Sequence, residues 1–69
     1  MDEYQRYHVK GVKDPKEADY LIKLLEEAGY YQCEFEMSSS ELYIPIAFAD
    51  MIDDIEELML DNGIELLED

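Results

Sequence analysis

The sequence is poor in the residues that carry catalysis, metal binding and cross-linking. Its 69 residues include one Cys, one His, two Pro, three Gly and no Trp. One Cys forms no disulfide within the chain, which is typical of a reducing compartment, so we expect a cytoplasmic location. The single His8 has no Cys or second His nearby, so the sequence predicts no metal site and no cofactor.

Long apolar runs are also missing. No segment approaches the roughly 18 apolar residues of a membrane span, and the first ten residues, MDEYQRYHVK, lack the apolar stretch of a signal peptide. The hydrophobic content of 48% is nevertheless too high for a disordered acidic tail. We therefore expect residues 1–69 to form a single small acidic domain, whose core only narrowly offsets the entropy of folding.

Basic residues are absent from two thirds of the chain. All five Lys and Arg lie within residues 1–23, where five Asp and Glu balance them, whereas residues 24–69 contain 14 Asp and Glu. The net charge of −14 therefore belongs to residues 24–69. Such a charge excludes a basic groove for nucleic acid and adsorption to an anionic membrane, so we expect neither as a direct partner.

Two segments have the apolar spacing and the end signals of helices. The first, residues 15–28, follows Asp14 as an N-cap and ends before Gly29. The second, residues 51–62, has Asp50 in the position of a cap and ends at an Asn-Gly pair. Both segments are therefore predicted to be amphipathic helices.

Three further segments alternate as strands do, over residues 4–12, 30–37 and 41–47, and residues 64–67 can form a short last strand. The order β-α-β-β-α-β predicts an α+β fold, with a four-stranded antiparallel sheet and both helices on one face. Pro45 has no N–H for a central strand, so we expect a bulge or an early end there. In the second and third strands, the residues predicted to face the helices are Tyr31, Cys33, Phe35, Met37, Leu42, Ile44 and Ile46.

This order and the segment Val9-Lys10-Gly11-Val12 resemble a ferredoxin-like domain of the heavy-metal-associated type. In that family a Met-x-Cys-x-x-Cys loop follows the glycine and binds copper or zinc. Here the loop, residues 12–16, contains no Cys. The resemblance therefore implies the fold alone, because the thiolate pair that selects Cu(I) is absent.

The acidic residues of the second helix are expected to form a stripe. Asp50, Asp54, Glu57 and Asp61 are spaced by four, three and four residues, and Asp53 and Glu56 flank them. Residues at this spacing are neighbours on a helix, and each pair of like charges destabilises it by roughly 0.2–0.5 kcal/mol. A rigid row of carboxylates resembles the phosphate charges of DNA, which carries one charge per about 1.7 Å of axis.

The face of the sheet away from the helices is a second candidate surface. Its Tyr side chains offer rigid area of the kind enriched at interfaces, and its charges suit cross-strand pairing. The residues expected there are Arg6, His8, Lys10, Tyr30, Gln32, Glu34, Glu36, Glu41 and Tyr43.

No combination of residues indicates catalysis. Cys33 alternates with apolar neighbours and is expected to be buried and unreactive. The serines at 38–40 have no base nearby and are typical of a turn. A general acid needs a carboxyl group in an apolar pocket, and the pattern marks none. We expect a protein that is not an enzyme.

The leading hypothesis is a small acidic module that binds a protein with a basic surface. In its most specific form it is an inhibitor that mimics nucleic-acid charge, as phage anti-defence proteins and CRISPR inhibitors do, and a phage-encoded chain would act in the host cytoplasm. That comparison rests on size and charge. The expected contact residues are Asp50, Asp53, Asp54, Glu57 and Asp61, with Glu34, Glu36, Tyr30 and Tyr43.

Other interpretations remain open. The acidic face is alternatively a solvated surface without a partner. The chain is alternatively a structural or adaptor domain that associates with itself as a homodimer, with its charge serving solubility. A third hypothesis is a regulatory domain that senses a small molecule or a cation, although the stripe lacks the residue order of a calcium loop.

Overall fold

The computed structural model describes residues 3–68. Its elements follow the predicted order. They are β1 (Tyr4–Lys10), α1 (Pro15–Glu27), β2 (Glu34–Glu36), β3 (Glu41–Pro45), a 3₁₀ helix (Ile46–Met51), α2 (Ile52–Asp61) and β4 (Glu65–Glu68). Neither helix in this part of the chain has the length and apolarity needed to cross a bilayer.

The four strands form one sheet in the order β2-β3-β1-β4, and each neighbouring pair is antiparallel. Tyr7 of β1 lies opposite Leu42 of β3, and Val9 lies opposite Leu66 of β4. These inward side chains join Leu21, Leu25, Ile55 and Met59 of the helices in one buried cluster. Both helices therefore cover the same face of the sheet, and the predicted ferredoxin-like α+β layout is confirmed.

The first helix begins and ends almost where the sequence predicts. The Asp14 carboxylate accepts a hydrogen bond from the backbone N–H of Glu17 at 2.9 Å, which satisfies one of the unpaired donors of the first turn. The helix ends at Glu27, and Gly29 leaves it with a φ of +97°. Glycine is favoured there because a side chain disfavours this backbone conformation.

The second helix differs from the prediction at its start. Asp50 does not cap α2, because it lies within the preceding 3₁₀ helix, and Met51 occupies the cap position without a side-chain hydrogen bond. The 3₁₀ helix begins directly after Pro45, which pairs with Tyr4 as the last residue of β3. The early end of this strand is thus the correct alternative. Ile46 is consequently 49% exposed rather than inward-facing.

Strand β2 is much shorter than the predicted residues 30–37. A turn at Tyr31 and Gln32 interrupts it, and Gln32 adopts a positive φ of 69°. A left-handed residue breaks the two-residue alternation of side chains, so positions before the turn do not follow the pattern after it. Tyr31 is therefore exposed, Met37 lies beyond the strand at 37% exposure, and Phe35 is half-buried.

Candidate protein-binding surfaces

The first candidate surface is the acidic stripe, defined as Asp50, Asp53, Asp54, Glu57 and Asp61. All five side chains are exposed, as the sequence predicts. The side chains that α2 buries completely are Ile55 and Met59. Helical geometry places Asp54, Glu57 and Asp61 on the opposite side of the helix from these two. The stripe therefore faces away from the core.

The spacing of these charges follows from the rise of the helix. Asp53 and Asp61 are eight residues apart, which corresponds to about 12 Å along the axis. Four carboxylates of the stripe lie within this length, at an average axial interval of ~4 Å, compared with about 3.4 Å between phosphates along one DNA strand. The row of charges is thus nearly as dense as a nucleic-acid strand.

Hydrogen bonds hold the acidic helix in place at its carboxyl end. The side-chain N–H of Asn62 donates to the Leu58 carbonyl at 2.9 Å, so it satisfies an acceptor of the last turn. The Tyr20 hydroxyl of α1 donates to the Asn62 side-chain oxygen at 2.9 Å. The end of α2 is therefore tied to α1, although no basic residue in its last turn offsets the charge of Asp61.

Within residues 3–67, the salt bridge between Arg6 and Glu41 lies on the sheet, and none reaches the acidic stripe. Asp53 and Asp54 lie in the first turn of α2, where the helix dipole favours negative charge. Glu57 and Asp61 lack this stabilisation because they are nearer the negative end. The repulsion within the stripe is therefore only partly compensated by the fold.

The second candidate surface is the open sheet face, defined as the face of the sheet that the helices leave uncovered. Its centre is a row of three directly opposed residues, Glu34 of β2, Tyr43 of β3 and Arg6 of β1. A parallel row contains Glu36, Glu41, His8 and Leu67. The face is thus acidic along the edge strand β2 and basic along β1, and β4 lies beyond β1.

An ion pair crosses this face between β1 and β3. The Arg6 Nε lies 3.1 Å from a Glu41 carboxylate oxygen, as the expected cross-strand pairing requires. The Arg6 side chain remains 56% exposed, whereas that of Glu41 is 18% exposed. A shallow depression lies over the central row, lined by Tyr4, Arg6, Glu34, Phe35, Glu36 and Tyr43.

Tyr4 and Leu67 also belong to the open sheet face, and the sequence interpretation did not include them. Tyr4 lines the depression and is 37% exposed, and Leu67 lies opposite His8. Val9 of β1 and Leu66 of β4 face the core, and successive side chains of a strand point to opposite faces. This alternation places Tyr4 and Leu67 on the open sheet face, so the sequence pattern could have identified them.

The expected position of Tyr30 on the open sheet face is wrong. Tyr30 precedes the turn at Gln32 and packs against the core. Its ring makes an edge-to-face contact with Phe48 of the 3₁₀ helix, with the centroids 5.4 Å apart. Gln32 itself lies in the turn rather than in β2. The left-handed backbone at Gln32 explains both differences, because it ends the alternation on which the prediction rested.

The remaining expected contact residues divide between two surfaces. The acidic stripe is on the outer side of α2, whereas Glu34, Glu36 and Tyr43 are on the open sheet face. The sheet and its covering helices separate the two surfaces. One flat partner surface therefore cannot contact both at once.

Cys33 is buried, as expected. Burial and, to a lesser extent, the negative charge of Glu26 raise the pKa of its thiol from 9.0 to about 11. Its Sγ lies 3.7 Å from the Tyr30 carbonyl oxygen. At neutral pH the thiol is therefore protonated, and protonated thiols are poor nucleophiles. Among the residues described, no group of three or more His, Cys, Asp or Glu could hold a metal ion.

Comparison with known proteins returned no match. No family model, curated protein or solved structure matches the chain.

Proposed function

We propose that the chain is a cytoplasmic protein-binding module that occupies a basic, nucleic-acid-binding site of another protein. The observation that carries this proposal is the acidic stripe, a solvent-facing row of carboxylates on a packed helix. Its axial charge spacing of ~4 Å is close to that of a DNA strand. Phage anti-defence proteins and CRISPR inhibitors are the class of protein to which this function belongs.

The only partly compensated repulsion within the stripe supports a role in binding. Basic residues at one or two of these exposed positions would stabilise α2, because they would replace like pairs with opposite pairs. Residues 24–69 nevertheless contain no Lys or Arg. A basic partner supplies the missing positive charge, and its attraction to the stripe accelerates association in a salt-dependent way.

The test uses the chain as immobilised bait in a lysate, with elution by increasing salt. A captured protein supports the proposal only if duplex or single-stranded nucleic acid competes with the chain for it. The association rate of the captured protein is then measured for the wild type and for the double variant Asp54→Lys/Glu57→Lys at two salt concentrations. We expect the double variant to bind at least about tenfold more slowly at low salt, with a flatter salt dependence.

A matched control separates the stripe from the net charge. Glu26→Lys/Glu27→Lys changes the net charge equally, at exposed positions on α1. We expect this variant to bind nearly as fast as the wild type. If the two double variants slow association equally, or if the captured protein binds nucleic acid and the chain together, then the acidic stripe does not imitate nucleic acid.

A further inference from the structure

The open sheet face has a charge pattern that is complementary to itself. Along its central row, Glu34 on β2 and Arg6 on β1 flank Tyr43 on β3. Neighbouring strands are about 4.8 Å apart, so the acidic and the basic residue lie at equal distances on opposite sides of β3. From β2 to β1 the row is therefore negative, aromatic and positive, and from β1 to β2 this order is reversed.

We propose that a second copy of the chain packs on the open sheet face, related by a two-fold axis parallel to β3 that passes over Tyr43. A rotation about this axis exchanges the two flanks of β3. It places Arg6 of one copy over Glu34 of the other, and the symmetric pair forms at the same time. The contact is isologous and closed, as in the commonest class of homo-oligomer.

The second row of the face is consistent with the same axis. The rotation places His8 of one copy over Glu36 of the other. It brings the two copies of Glu41 towards each other, but this carboxylate is only 18% exposed and is already paired with Arg6. An axis perpendicular to the strands would instead place β1 over β1 and β2 over β2, and so oppose like charges.

The composition of the central row suits an interface. Tyr and Arg are enriched at interface centres, and Tyr43 would lie against its own copy at the axis. The Arg6 side chain is 56% exposed, so a contact through this face would cover it.

The size of the molecule predicts a weak dimer. Its extents of 28 × 24 × 19 Å limit one face to about 670 Å². A standard interface buries about 800 Å² per partner. We therefore expect a dimer that forms and dissociates with concentration, in which both helix layers and both acidic stripes face outwards.

The experiment measures the mass of the purified chain by sedimentation equilibrium up to about 1 mM protein. We expect a reversible monomer–dimer equilibrium for the wild type. Glu34→Arg places two positive charges opposite each other, and we expect it to weaken dimerisation at least about tenfold. Glu27→Arg on α1 changes the net charge equally and is expected not to weaken it, because it lies outside the contact.

A charge exchange between copies tests the axis itself. Arg6→Glu alone is expected to weaken dimerisation at least about tenfold, like Glu34→Arg. An equimolar mixture of these two variants restores both opposite-charge pairs, so we expect the heterodimer to form more readily than either homodimer. Circular dichroism checks that each variant is folded, since Arg6→Glu also loses the ion pair to Glu41.

A cross-linking variant keeps the test independent of charge. Tyr43→Cys is expected to form a disulfide-linked dimer under mild oxidation, whereas Tyr20→Cys, exposed on α1, is expected to remain monomeric. A wild type that is monomeric at all concentrations overturns the proposal. So does a Glu34→Arg variant that dimerises like the wild type, or a Tyr43→Cys variant that does not cross-link. No binding partner is added, so these results do not depend on the proposed function.

Discussion

Two single charge reversals at opposite ends of α2 measure how far the fold tolerates its acidic stripe. Asp61→Lys removes a like pair with Glu57, which is four residues away, and replaces it with an opposite pair. Replacing a like pair with an opposite pair stabilises the helix by about 0.4–1 kcal/mol. Asp61→Lys also exchanges a negative for a positive charge at the negative end of the helix dipole, which is favourable by about 0.6–2 kcal/mol at low salt. Because these groups are exposed, solvent screening reduces the total to about 1 kcal/mol.

The matched variant, Asp53→Lys, changes the net charge equally but lies in the first turn of α2. It gains opposite pairs with Glu56 and Glu57 and loses the favourable interaction of Asp53 with the positive end of the dipole. These effects nearly cancel, so we expect little change in the free energy of unfolding. Asp61→Lys is thus expected to be about 1 kcal/mol more stable than Asp53→Lys.

Urea denaturation at low and high salt is the appropriate assay. With an m-value of about 1 kcal/mol/M for a domain of this size, the two midpoints should differ by about 1 M in low salt and converge in high salt. Equal midpoints in low salt would show that the helix dipole does not distinguish the two ends of α2, contrary to the reasoning. If Asp61→Lys is no more stable than the wild type in low salt, the local repulsion used to support a binding role of the stripe does not exist.

Three further predictions concern the core and the loops. Ile55→Ala deletes a completely buried side chain and should cost about 2–5 kcal/mol in the free energy of unfolding, measured by denaturation. Gly11→Ala should lower the free energy of unfolding for two reasons: the new Cβ would lie 2.6 Å from the Gly63 carbonyl oxygen, and a φ of +106° disfavours a side chain. Gly29→Ala is the control, because Gly29 also has a positive φ but has open space around it, so this variant measures the effect of φ alone. Because the folded state raises the pKa of Cys33 to about 11, the stability contributed by its neutral thiol is complete below pH 9 and is lost as pH rises to 11. Stability should therefore fall more steeply over this range in the wild type than in Cys33→Ala, and thiol labelling of the native protein should be slow at neutral pH.

The order of elements could be predicted because side-chain periodicity indicates each one, and at α1 the end signals agree with it. Asp14 and Gly29 mark the ends of α1, and the alternation in β1 places Tyr7 and Val9 inward, as found. The residues before β2 were misplaced because the backbone there does not follow the side-chain pattern. The side-chain pattern of residues 30–37 is that of a strand, but the backbone turns at Gln32, and no proline or glycine there announces the turn.

The start of α2 could not be predicted from its capping signals alone. Asp50 has the residue type and spacing of a cap, yet Pro45 ends β3 early and the chain enters a 3₁₀ helix instead. This helix places Phe48 against Tyr30, so the loop before α2 and the segment before β2 pack on each other. Such a contact joins residues 18 positions apart, which no local pattern records.

Of the candidate surfaces, the acidic stripe follows from sequence more directly than the open sheet face. Only the helical period is needed to predict a stripe on one helix, and its residues are exposed as expected. The central row of the sheet needs the register of three strands, because Glu34, Tyr43 and Arg6 become neighbours only when β2, β3 and β1 pair in this order.

The two surfaces are independent in space, and this has a consequence for their functions. A dimer through the open sheet face leaves both acidic stripes exposed on its outer sides, so self-association and binding of a basic partner are compatible. A partner with two basic sites at a matching separation would bind the dimer more tightly than the monomer, because the second contact is intramolecular. Glu34→Arg should then weaken binding to such a partner without touching the stripe, and it should leave binding to a partner with one basic site unchanged. Comparing the affinity of Glu34→Arg and the wild type at protein concentrations below and above the dimer dissociation constant distinguishes these cases. A loss of affinity at concentrations where the wild type is monomeric would mean that the open sheet face contacts the partner directly.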